Sequence, residues 1–129
     1  MPDRAEILAT TDVVLNWSPK DPGLPAVDAV QSVVEQLTEY GRSIAGQLPT
    51  QILSIPADSG AGISARAALG EASGRLNLPP PAGTLYAAVH RAQNLARLVQ
   101  ALCRAAGLVA EERARIARLG QHNTTTKGS

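Results

Sequence analysis

Two apolar seams limit what this chain can fold into. Val27, Val30, Val34, Leu37, Gly41, Ile44 and Leu48 recur at alternating spacings of three and four, and Leu85, Ala88, Ala92, Leu95, Val99, Leu102, Ala106 and Val109 repeat the pattern further along. An α-helix gathers such positions on one face, whereas a strand would scatter them over both. Neither seam can be shielded by its own helix, so each needs a facing helix, as in bundles and coiled coils. The composition agrees. The apolar fraction of 44% is almost all alanine, leucine and valine, with no phenylalanine, and Trp17, Tyr40 and Tyr86 are the only aromatic residues. Alanine and leucine favour helix, and sheet cores want more aromatic and β-branched side chains. The sequence predicts an all-α fold within one small domain.

The boundaries follow from the breakers. Residues 1–24 read as an irregular N-terminal extension, because Pro19, Pro22 and Pro25 follow Trp17 at close spacing. Pro25 suits a first helical position, so the first long helix is expected over 25–48, with Pro49 ending it. Gly41 costs helix propensity and implies that a bulky neighbour approaches closely there. A connection over 50–62 leads to a short helix over 61–77, capped by Asp58 or Ser59, with Ala65, Leu69, Ala72 and Leu76 as its apolar stripe. Residues 78–83, Leu-Pro-Pro-Pro-Ala-Gly, form a stiff connector. Thr84 caps the third helix. Leu108 and Leu119 fall nearly opposite its seam, which favours a break at Gly107 and a short fourth helical segment ending near Gly120. The bundle thus spans 25–120, and 121–129 is expected to be a disordered tail.

Chemistry-bearing motifs are scarce. His90 and Cys103 lie about 140° apart on a helix at 100° per residue, which separates them as a nucleophilic pair. No His-x-x-x-His, Glu-x-x-His or carboxylate cluster at ligand spacing occurs, and Gly60-Ala61-Gly62 lacks the lysine of a phosphate loop. These readings give no catalytic, cofactor-binding or metal-ligating residue and imply no cofactor. A single cysteine excludes an internal disulfide framework. No apolar run approaches the ~20 residues of a membrane span and no signal peptide is evident, so a cytoplasmic setting is expected. The net charge of +1 gives no general attraction to nucleic acid.

Candidate interaction residues remain. Trp17 is either a plug over one end of the bundle or an anchor for a partner. Arg97, Arg104 and Arg115 fall within about 20° of one another on an ideal helix, with Arg118 further round. They form either a solvated face or a docking surface for an acidic partner.

The stretch from Gly70 to Leu108 also carries a family likeness. Gly70-Glu71-Ala72 and Arg75-Leu76, then His90, Ala92-Gln93, Leu95-Ala96-Arg97, Val99 and Ala101-Leu102-Cys103, form a pattern with Arg91 inserted after the histidine. Val14-Leu15-Asn16-Trp17 and Leu24-Pro25 extend it upstream. Over about Val13 to Leu108 the chain resembles the domain of unknown function 6415 family, small proteins of GC-rich bacteria, some labelled natural-product-biosynthesis proteins. The resemblance implies a helical bundle and no established activity. Where members often carry a histidine and acids after the cysteine, this chain has Arg104-Ala105-Ala106.

The function expected from these readings is a non-enzymatic interaction or regulatory protein that self-associates, through seams that a dimer would bury. A small-molecule binder or accessory enzyme of a biosynthetic pathway, with Tyr40 and Tyr86 lining a pocket between helices, is the alternative. DNA binding through the arginine stripe is a third.

Overall fold

The computed structural model describes residues 3–18, 20–79 and 83–128, with side chains as far as Gly120. Among them it is all-helical, with four helices: α1 (Arg4–Leu15), α2 (Val27–Ile52), α3 (Gly60–Arg75) and α4 (Leu85–Gly128).

The two seams meet as expected. Val30, Leu37 and Leu48 of α2 are fully buried, as are Ala88, Ala92, Val99, Leu102 and Val109 of α4. Burying each such valine or leucine stabilises the fold by roughly 1.5–3 kcal/mol. Gly41 is the point of closest approach. A methyl there would meet Leu76 Cδ2 at 3.0 Å and Val99 Cγ2 at 3.7 Å, so glycine lets α3 and α4 close on α2. The caps also agree with the sequence. Ser59 Oγ accepts from the Gly62 amide at 3.1 Å, and Thr84 Oγ1 from the Ala87 amide at 3.1 Å.

The irregular extension expected before residue 25 is corrected, because it holds α1. Asp3 caps this helix by accepting from the Glu6 amide at 2.8 Å, and Ile7, Thr11 and Val14 are buried. Gln93 Nε2 of α4 donates to the carbonyls of Val14 (3.2 Å) and Trp17 (2.8 Å), while Gln100 Nε2 donates to Thr11 Oγ1 (3.0 Å) and Asp12 Oδ1 (3.1 Å). The later glutamine holds the earlier part of α1, so α1 runs antiparallel to α4. Helix α3 packs against both α2 and α4.

The expected break at Gly107 is also corrected: α4 is continuous, with no short separate C-terminal segment. The inference of a break assumed that α4 buries one stripe. In fact α4 packs against each of the other three helices, and Val89, Ala96 and Cys103 are buried beside the seam. Leu108 simply stays half-exposed. Pro49 does not end α2, which continues to Ile52. A proline forfeits one backbone bond, and Leu48 and Ile52 remain buried around it. Helix α4 continues over 121–128, within the stretch expected as a tail, where side chains lie outside the described residues. The expected brace at Pro80, Pro81 and Ala82 lies outside them too.

Candidate functional site

Three surfaces could do work: the open face of α4, a cleft beside α2, and a groove along α1.

The open face of α4 carries most of the residues singled out from the sequence. At 100° per residue, Arg97, Arg104, Leu108, Glu112, Arg115 and Leu119 fall within an arc of about 80°, and all but the half-buried Glu112 are exposed. Their electrostatics are mixed. Arg97 Nη1 donates to Asn94 Oδ1 at 3.2 Å, and Arg115 forms a 2.5 Å ion pair with Glu112. The Arg115 guanidinium holds the Glu112 carboxyl below its usual range, chiefly through that hydrogen bond. Arg118 is exposed and further round the helix. The structure therefore brings Arg97, Arg104 and Arg115 onto one face, but interleaves them with a carboxylate and two half-exposed leucines, Leu108 at 45% and Leu119 at 50%. At the N-terminal end of the same arc, Tyr86 and His90 stack with ring centroids 6.4 Å apart.

Trp17 sits elsewhere. It is partly buried against the core, and its carbonyl accepts from Gln93. Tyr40 is buried while Tyr86 is 68% exposed, so the two do not share a pocket.

The cleft was not anticipated. One wall is a face of α2 bearing Gln31, Glu35, Thr38, Glu39 and Arg42; Arg75 and Leu78 contribute from the end of α3 and Arg91 from the start of α4, over a floor of Val34 and Leu76, with a volume of about 520 Å³. Arg42 Nη2 donates to the Leu76 carbonyl at 3.0 Å, which satisfies an acceptor at the end of α3 and fixes the guanidinium at the wall. Glu35, Glu39 and Arg42 follow one another at helical intervals of four and three in the sequence. Nothing marked Arg75 and Arg91 as their neighbours, since they arrive from two other helices.

The groove along α1 is lined by Arg4, Leu8, Asp12, Gln100, Cys103 and Arg104. Burial pushes the Cys103 thiol up, and the nearby Arg4 only partly offsets this. Such a thiol is a poor nucleophile at neutral pH, and His90 is on the exposed side of the helix. Among the described residues, no three His, Cys, Asp or Glu side chains gather to hold a metal ion, and no helix is long and apolar enough to cross a membrane.

No curated protein and no solved structure matches the chain. A family model described as a family of unknown function, DUF6415, matches residues 5–111, from the first turn of α1 to two residues past the buried Val109 of α4, and the chain belongs to that family.

Proposed function

We propose that the chain is a non-catalytic helical interaction protein that pairs with a second copy of itself through the C-terminal half of α4. The seams themselves do not support this, because they are consumed within the bundle. What supports it is the length of α4. Its 44 residues span about 66 Å at 1.5 Å per residue, against about 39 Å for the 26 residues of α2. Among the described side chains of α4 the last fully buried one is Val109 and Ile116 still packs partly against the core, yet the helix continues beyond them with Leu119 half-exposed. A helix beyond its bundle gains little from propensity alone and is held by packing.

The residue pattern favours a second copy as that packing. Leu108, Glu112, Arg115 and Leu119 recur at spacings of four, three and four. Two such helices, antiparallel about an axis between residues 113 and 114, set Leu108 opposite Leu119 of the other copy and Glu112 opposite its Arg115. That face is complementary to itself, as a twofold interface requires. A setting beside natural-product biosynthesis is what the sequence resemblance implies.

Light scattering during size-exclusion chromatography tests this. The chain should elute as a dimer at high micromolar concentration, and Leu108→Asp with Leu119→Asp should leave a folded monomer. Glu112→Arg and Arg115→Glu should each weaken the homodimer, and mixing the two variants should restore pairing. A wild-type chain that stays monomeric would sink the proposal.

A further inference from the structure

We infer that the cleft between α2, the end of α3 and the start of α4 binds a small monoanionic carboxylate with an apolar body. This goes beyond the pairing of α4 and uses a different part of the molecule.

Three guanidiniums from three helices converge there: Arg42 of α2, Arg75 of α3 and Arg91 of α4. Among the described residues the only ion pair is Glu112–Arg115, so neither Glu35 nor Glu39 closes on any of these arginines. Arg75 is exposed and Arg91 half-buried, and among the described residues neither has a hydrogen-bond or ion-pair partner to hold its fork. Arg42 is already oriented by its bond to the Leu76 carbonyl. An arginine fork matches the two oxygens of a carboxylate in one plane, and a preset donor loses less freedom on binding.

Two other features define the rest of the ligand. Val34 and Leu76 form an apolar floor, and Leu78 stands 52% exposed at the lip, where a hydrocarbon body would cover it. The volume of about 520 Å³ falls within the range of small-molecule sites. Charge sets the valence. Three arginines against two glutamates leave one net positive charge, which one carboxylate neutralises. A dianion such as a phosphate monoester would place its second charge against Glu35 and Glu39.

The test uses the full chain with hexanoate, acetate, hexanamide and hexyl phosphate as probes, read by amide NMR shifts and calorimetry. Hexanoate should shift amides around Val34, Leu76 and Arg91. Acetate, lacking the body, and hexanamide, lacking the charge, should each bind about tenfold more weakly. Hexyl phosphate should bind more weakly than hexanoate, and should gain when Glu35→Gln and Glu39→Gln are combined. Arg75→Gln with Arg91→Gln should abolish hexanoate binding while leaving the melting temperature unchanged. If hexanoate binds no tighter than hexanamide, or shifts amides near Leu108 and Leu119 instead, the cleft is not such a site. The wild-type probe series decides this even if a variant folds poorly.

Discussion

Replacing Gly107 with alanine should stabilise the protein, and the sign of the effect tests whether α4 is one helix. Gly107 lies inside α4, and among the described residues no glycine has a positive φ. A methyl added there meets nothing within 4 Å. The substitution therefore brings no clash, removes a flexible residue from the unfolded chain and gains about 1 kcal/mol of helix propensity. For a chain of this size that is a rise in melting temperature of about 4 °C. A helix that ended at Gly107 in a left-handed cap would give the opposite sign, a loss of about 1 kcal/mol. Two other glycines calibrate the result. Gly46, within α2, also has nothing within 4 Å, so Gly46→Ala should match Gly107→Ala. Gly41 has the same propensity to gain but meets Leu76 Cδ2 at 3.0 Å, so Gly41→Ala should gain close to nothing. Urea unfolding followed by circular dichroism measures all three, with unchanged m-values as the sign that only stability moved. A lower midpoint for Gly107→Ala beside a higher one for Gly46→Ala would refute the continuous helix, and with it the arm that carries Leu119 out of the bundle.

Gln93→Met should loosen α1, because one amide donor serves the Val14 and Trp17 carbonyls at 3.2 and 2.8 Å; at about 1 kcal/mol per bond the loss is about 2 kcal/mol. The chain has one tryptophan, so a red shift of its fluorescence reports the loosening directly, and an unchanged spectrum and urea midpoint would show that those carbonyls are served by water. Cys103 should react slowly with a thiol reagent in the folded chain and quickly in urea, since burial raises its pKa and keeps the thiol neutral. The linkage sign follows: this group's contribution is fully present below an unfolded thiol pKa of about 8.5 and falls as pH rises past it. Stability that rises from pH 8 to 10 in the wild type but not in Cys103→Ala would contradict that assignment.

Some of this architecture was legible because its cause is local. A seam at spacings of three and four needs only the geometry of one helix. Ser59 and Thr84 cap amides three residues ahead of themselves. Gly41 stood out because a glycine inside an apolar seam has few reasons other than close approach. Helix α1 was missed for the opposite reason. Its buried face is Ile7, Thr11 and Val14, and the middle residue is polar. A threonine at full burial is stable only if its hydroxyl is satisfied. Here it donates to the Leu8 carbonyl at 2.7 Å, which is local, and accepts from Gln100, which is 89 residues away. The apolar pattern breaks where the stabilising partner is remote. The cleft was hidden likewise, since Arg42, Arg75 and Arg91 become neighbours only after three helices pack.

A signal for the fourth helix was nonetheless present, on α4 rather than α1. Gln93 and Gln100 are seven residues apart, so they lie on one flank of the helix about 20° from alignment at 100° per residue. Both are half-buried. Gln93 also belongs to the family-like run between Ala92 and Leu95, where a seam alone gives no reason for an amide. Two long amides in register beside an apolar seam are unfavourable against a hydrocarbon neighbour, but suit a helix end and a buried hydroxyl that need donors. That pairing predicts a further helix docked on this flank, and its acceptors would be sought in the one stretch not yet assigned to the core. Residues 3–18 supply them at Thr11, Asp12, Val14 and Trp17.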